Sequence, residues 1–166
     1  MPRAATVPLE IQLEDPATPD VAALLREHLE DMRSNSPPES VHALDLEALR
    51  RPGISFWTVR EDGELLGCGA MKHLDAETGE IKSMRTAQQH RGRGVADRLL
   101  VHIIEAARQR GLRRLSLETG TPDDFAAARR LYARHGFVEC APFADYRLDP
   151  WSVYMTLPLA PTEGSA

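Results

Sequence analysis

A mixed α/β domain is what this sequence predicts, with elements in the order β-α-α-β-β-β-α-β-α-β-β. Three observations predict it. Residues 54 to 86 read as three strand-like segments separated by turn residues. Residues 90 to 100, HRGRGVADRLL, set two glycines and three arginines ahead of a helical apolar stripe. Residues 113 to 136 then run as strand, capped helix and glycine stop. Strands joined by tight turns form hairpins and strands alternating with amphipathic helices form crossovers, so a mixed sheet with helices on its faces is expected.

Each element has its own local reason. LEIQLE (9–14) alternates apolar and polar like a strand, and TPDVAALLREHLEDM (18–32) is helical, with Thr18 as N-cap and Pro19 at the first helical position. SNSPPES (34–40) breaks that helix, and LDLEALR (44–50) makes a short second one. ISFWTVR (54–60), LLGCGAMKHL (65–74) and EIKSMRT (80–86) are strands joined by the turns EDGE and DAETG, an antiparallel meander. Val95, Leu99, Ile103 and Ala107 recur at helical spacing, Leu100 and Ile104 widen the stripe, and Gly111 ends it. RRLSLET (113–119) is a strand. TPDD (121–124) offers Thr at N-cap, Pro at N1 and Asp at N3 to open FAAARRLYARH, which Gly136 closes. FVEC (137–140) and WSVYMTL (151–157) are the last strands. Residues 1–8 and 159–166 read as flexible tails around one domain, 9–158.

Composition narrows the function classes. At 166 residues with 42% hydrophobic and 27% charged side chains, the chain is long enough for one core without disulfides. No apolar run approaches a membrane span and the start lacks a signal-peptide core, so a cytoplasmic protein without membrane association is expected. Cys68 and Cys140 show no CxxC or Cys/His ligand spacing, the histidines none either, and no metal is expected. A net charge of −5 argues against nucleic-acid binding, yet the charge is uneven. Residues 82–114 hold nine Lys/Arg against two acids, whereas residues 1–81 hold seven against sixteen.

The basic block surrounds the glycines, and that combination suits phosphate. Helix-start N–H groups, glycines that admit close approach and flanking guanidinium groups make an anion site. It is not a P-loop, since no Lys-Ser or Lys-Thr follows the glycines. It is not a dinucleotide fingerprint either, because Asp97 stands where the third glycine belongs.

RGRGVA, Arg91 to Ala96, matches the R/Q-x-x-G-x-G/A signature of the GNAT family of acetyl-CoA-dependent N-acetyltransferases. EIKSMRTAQQHRGRGVADRLL resembles that family's fourth strand, pyrophosphate loop and following helix. AARRLYARHGF (127–137) is similar to its second signature, a tyrosine ahead of a Gly-Phe pair. The ordered pair of signatures is the specific feature, and the element order agrees from residue 9 to 157.

The resemblance implies a mostly antiparallel central sheet whose fourth and fifth strands splay apart. It implies that backbone N–H groups of Arg91, Gly92, Arg93, Gly94, Val95 and Ala96 grip the coenzyme pyrophosphate, while Met84, Arg85 and Thr86 line the pantetheine arm. The Met84 N–H would polarise the thioester carbonyl. Tyr132 would be the general acid that protonates the leaving thiolate, although the same tyrosine shares an apolar helix face with Phe125, Ala128 and Leu131, where it would simply pack. Glu80, at the start of its strand, would be the base acting through water, although exposed strand ends also carry such residues for solubility, and His42 can accept a proton near neutral pH too.

The implied reaction is acetyl transfer from acetyl-CoA to a primary amine by direct attack in a ternary complex. A ping-pong route through Cys68 or Cys140 finds no local base to support it. The partner is a small-molecule amine, amino-acid-like or otherwise, and the protein is a monomer or homodimer. The alternatives are a protein or peptide N-acetyltransferase and a non-catalytic acyl-CoA-binding module. For the acceptor, the segment Met32 to Leu49 with Glu39 and His42 is expected to meet Tyr146 and Trp151, and Arg33, Arg85 and Arg147 are available to clamp a carboxylate.

Overall fold

The computed structural model describes residues 8–35, 37 and 46–159. Its elements follow the expected order: β1 (Glu10–Leu13), α1 (Pro19–Asn35), α2 (Leu46–Leu49), β2 (Ile54–Glu61), β3 (Glu64–His73), β4 (Thr78–Thr86), α3 (Val95–Gln109), β5 (Arg114–Gly120), α4 (Ala126–Arg134), β6 (Val138–Cys140) and β7 (Ser152–Pro158). Two 3-10 turns, Gln88–His90 and Asp123–Phe125, precede α3 and α4.

All seven strands form one sheet in the order β1-β2-β3-β4-β5-β7-β6. Every neighbouring pair is antiparallel except β4 and β5, which run parallel. A parallel pair cannot be closed by a tight turn, and α3 supplies the crossover. This one parallel junction divides the sheet and carries the site.

Each face of the sheet has its own core. On one, Val21, Leu24 and Leu25 of α1 and Leu49 of α2 pack with Phe56, Cys68 and Ala70. On the other, Val95, Leu99, Leu100, Ile103 and Ala107 of α3 meet Trp57, Met71, Leu115 and Leu117. Helix α3 lies close because β3 presents glycine to it. A Cβ on Gly69 would stand 3.1 Å from Leu99 Cδ2, and one on Gly67 would stand 3.2 Å from Val95 Cγ1.

At two helix starts a backbone carbonyl outside the helix claims the expected capping hydroxyl, although α1 begins at Pro19 as expected. Thr18 Oγ1 donates to the Asp15 carbonyl at 2.8 Å, although the Thr18 carbonyl does accept the first helical bond from Ala22. Thr121 Oγ1 donates to the Pro150 carbonyl at 2.8 Å, so it staples this segment to the loop before β7 instead of capping. The TPDD segment accordingly opens a 3-10 turn, and α4 begins only at Ala126. Leu159, assigned by sequence to the C-terminal tail, is buried against the α3 core, and its N–H bonds the Arg113 carbonyl.

Among the described residues, no helix is long and apolar enough to cross a membrane, and no group of three or more His, Cys, Asp or Glu is arranged for a metal ion.

Candidate active site

Strands β4 and β5 are paired only from Thr78–Arg114 to Ile81–Leu117. Beyond that point β4 continues through Lys82 to Thr86 on β3, and β5 continues through Glu118 to Gly120 on β7. A bulge sits at the parting. Cys68 pairs with Arg85 and Ala70 with Lys82, so β4 carries an extra residue opposite Gly69, and Ser83 adopts φ +56. Bulges bend the strand that holds the extra residue. Here the bend coincides with the end of β4–β5 pairing and leaves the sheet open on one side.

The glycine-rich loop follows directly. Gly92 and Gly94 have φ +80 and +77, the left-handed region that a side chain rarely adopts. A Cβ at either would meet nothing within 4 Å, so the space before the loop is open. The Arg98 N–H reaches back to the Gly94 carbonyl at 3.0 Å, and the N–H groups preceding it in α3 have no partner within the helix. Asp97, in the first turn, would repel a phosphate there. His135 Nε2 at 2.8 Å and then Arg134 Nη2 at 3.0 Å hold its carboxylate and lower its pKa.

Arg93 departs from the expected pattern. Its Nη2 forks onto both carboxylate oxygens of Glu61 at 3.0 Å, and its Nη1 lies 2.9 Å from His90 Nδ1. Its side chain therefore braces the loop against the β2–β3 turn and is turned from the open space. Arg91, exposed and without such a partner, borders that space instead.

A cavity of about 660 Å³ extends from this loop to the parted strands. Arg91, Gly92, Gly94, Val95 and Ala96 line it, with Met84, Arg85 and Thr86 of β4 and Arg130 of α4. A second cavity of about 100 Å³ lies between the parted strands, lined by Glu80, Lys82, Glu118, Thr119 and Tyr146. His28, Met84 and Tyr132 border both. Met84 and Tyr132 are the residues the sequence singled out for polarising and protonating.

Tyr132 projects from α4 and is 6% exposed, its ring set edge-on to Phe137 at 5.6 Å. Burial raises its hydroxyl pKa, so the phenol keeps its proton through neutral and mildly alkaline pH. Tyr132 packs in the core and also borders both cavities.

Glu80 is not at an exposed strand end. Its side chain is 4% exposed, with that of Lys82 at 8%. Lys82 Nζ lies 3.0 Å from Glu80 Oε2 and 2.9 Å from the Tyr146 hydroxyl, which itself donates to Glu80 Oε2 at 2.6 Å. Burial first, then the Glu80 carboxylate, push the Tyr146 hydroxyl pKa far up. Lys82 was not singled out by sequence, though its two-residue spacing from Glu80 puts both on one face of a strand.

His28 was also missed. It sits on α1, and burial followed by the Arg85 charge lowers its pKa to about 4. Arg85 Nη2 is held by Glu27 at 2.7 Å and Asp31 at 2.6 Å, so its charge is matched within the protein. Cys68 borders the larger cavity, but burial pushes its thiol up to about 12 and it donates to the Ser83 carbonyl at 3.6 Å. Arg33 and Arg147 are exposed and line neither cavity, and no carboxylate clamp with Arg85 is assembled. Trp151, 42% exposed, lines neither cavity, because its loop is tied to Thr121 through the Thr121 N–H to Trp151 carbonyl bond. Glu39 and His42 lie outside the described residues.

Comparison with known proteins gives the same answer. The profile of the Acetyltransferase (GNAT) family matches residues 21–137. An uncharacterized N-acetyltransferase of Bacillus subtilis, YsnE, is 54% identical over 148 residues, 89% of this chain and 98% of its own length. A structure from Klebsiella pneumoniae, provisionally assigned as an acyl-CoA N-acyltransferase, superposes with TM-score 0.75 at 30% identity, covering 92% of this chain and 98% of its own. A GNAT acetyltransferase from Elizabethkingia anophelis with acetyl-CoA bound shares the fold at TM-score 0.65 and 18% identity, over 91% of this chain and 98% of its own. With the glycine loop, the parted strands and the α4 tyrosine in one matched span, the chain belongs to the GNAT family and is an N-acetyltransferase.

Proposed function

We propose that this enzyme transfers the acetyl group of acetyl-CoA to the primary amine of a small molecule, by direct attack within a ternary complex, and that residues 9–158 form the catalytic domain. The observation that carries the reading is the meeting of two cavities at Met84 and Tyr132, at the mouth of the parted strands. A coenzyme entering along the glycine loop and an amine entering between β4 and β5 then reach one point from opposite sides.

The chain fits the coenzyme. Gly92 and Gly94 leave room before the N–H groups that open α3, which have no partner within the helix, and these hold the pyrophosphate, with the Arg91 side chain beside them. Acetyl-CoA, when bound, supplies an activated acetyl thioester. The remaining work falls to side chains and backbone of this chain. Met84, past the last β4–β5 pair, offers its N–H to the carbonyl oxygen, where negative charge develops. Glu80 takes the proton from the incoming ammonium, directly or through one water, since an amine must lose a proton to be a nucleophile. As the carbon–sulfur bond breaks, Tyr132 gives its hydroxyl proton to the departing sulfur and is reprotonated by the second proton that the nitrogen sheds in becoming an amide.

Route by route, a direct transfer is also the one the cysteines permit. A thiol held up to about 12 in a buried site is a poor nucleophile at neutral pH, which disfavours an acetylated Cys68. The smaller cavity, about 100 Å³, suits a compact acceptor, with Glu39, His42 and Tyr146 as the residues proposed to select it. The test is thiol release from acetyl-CoA with a panel of primary amines, free amino acids and short peptides, the acetylated product being identified by mass. Release with peptides alone would replace the small-molecule reading with the protein one.

A further inference from the structure

The Glu80–Lys82–Tyr146 cluster is ordered in a way that the choice of Glu80 as base does not explain. Three heavy atoms, Glu80 Oε2, Lys82 Nζ and the Tyr146 oxygen, stand 2.6 to 3.0 Å from one another. An ammonium group has only donors, so Tyr146 must accept from Lys82, and its single proton must go to Glu80. Oxygen Oε2 thereby receives two donors. Oxygen Oε1 receives none among the described residues, and it is not among the fully enclosed side-chain atoms that lack a partner. A carboxylate tied by one oxygen has its other left for a proton.

Resting on the reading of Glu80 as base, we propose that Lys82 is a positioning residue for it: Lys82 sets the proton direction of Tyr146, fixes Oε2, and keeps the carboxylate charged with Oε1 available to the amine. The charge balance supports the role. Besides Glu80 and Lys82, the titratable groups facing the smaller cavity among the described residues are His28 of α1, Glu118 of β5, Tyr132 of α4 and Tyr146, and none of these is a cation at neutral pH. Lys82 is therefore the positive charge that offsets Glu80 in that space. An unpaired carboxylate in a site this buried takes up a proton readily and loses its capacity as a base. The Lys82 ammonium is itself committed to two acceptors, so it acts on the reaction through Glu80 and Tyr146.

The experiment uses full-length protein carrying ¹³C-carboxyl glutamate, with the Glu80 signal assigned by its disappearance in Glu80→Gln. In Lys82→Met the Glu80 carboxyl is expected to titrate about one pH unit or more above wild type, the acid limb of kcat with the best amine of the panel to move by a similar amount, and Lys82→Arg to restore most of both. Acetyl-CoA affinity by calorimetry stays as in wild type. If Lys82→Met does not melt cooperatively, Lys82→Gln takes its place. A folded variant whose Glu80 signal titrates as in wild type overturns the role of Lys82, and so does a loss of coenzyme affinity. Wild-type turnover in Glu80→Gln removes Glu80 as base and this inference with it. An inactive Glu80→Gln beside an unmoved titration in Lys82→Met overturns the inference alone.

Discussion

Ile81 and Leu117 are the last residues at which β4 and β5 face one another in register, and one residue later the strands part around Lys82 and Glu118. Both members of that last pair are buried, at 3% and 1% exposure, so the opening begins at the edge of the core. The gap is consequently held open by packing behind it and by the Ser83 bulge before it. An acetyl donor and an amine need such a rigid opening, because orientation is a large part of what an enzyme contributes to a two-substrate reaction.

Gly94→Glu is expected to abolish acetyl-CoA binding by calorimetry, since it puts bulk and negative charge at the proposed pyrophosphate site. At φ +77 the new side chain also strains the backbone, which costs roughly 1–3 kcal/mol. Gly94→Ala separates the two effects, because a Cβ meets nothing within 4 Å and only the strain remains. Equal affinity in wild type and Gly94→Glu would move the coenzyme away from this loop.

Tyr132→Phe removes one hydroxyl from a side chain that is otherwise core. Turnover should fall about a hundred-fold, with coenzyme affinity and melting temperature little changed. Undiminished thiol release would return Tyr132 to a packing role alone.

Coenzyme affinity should weaken as salt rises, since the phosphate groups are proposed to meet exposed Arg91. Removing Arg91 is expected to flatten that dependence. Removing Arg93 should lower thermal stability by loosening the loop from Glu61, yet leave the salt slope in place, because its charge is already matched. The reverse ranking in a salt series would place Arg93 on the phosphates.

Acid should destabilise the fold in two windows. His28 has a folded pKa near 4, below its ordinary 6.5, so the unfolded chain binds more protons between these values. Stability is then full above pH 6.5 and falls as pH drops toward 4. Glu14, held at about 2 first by its hydrogen bond from Arg60, contributes stability above 4.5 that is lost as pH falls through 2. Denaturant titrations of His28→Gln should show the upper window flattened and the lower one retained.

Cys68→Ala should keep full acetyl transfer, and native Cys68 should resist alkylating reagents at neutral pH that modify it after unfolding. An acetylated Cys68 found by mass after mixing with acetyl-CoA would restore the ping-pong route.

Much of this site was legible before any fold was known. The loop was readable because left-handed backbone at positions 92 and 94 admits few residues but glycine, and because an apolar stripe with a helical period follows at once. The order of strands and helices was readable for the same reason: period, turn chemistry and stop residues are local properties. Glu80 and Tyr132 stood out through the signatures around them, and the structure brings both to the parted strands.

What sequence left undecided were choices among distant partners. Arg93 had several acids available and meets Glu61, 32 residues away, so it braces the loop. Glu80 looked like a solvated strand end, yet Tyr146 arrives from 66 residues away and encloses it with Lys82. Thr121 had a helix to cap and instead bonds the Pro150 carbonyl, 29 residues on. Local chemistry sets which groups need a partner, whereas the parallel junction of β4 and β5, with β7 and the loop before it folded alongside, sets which partner lies within 3 Å.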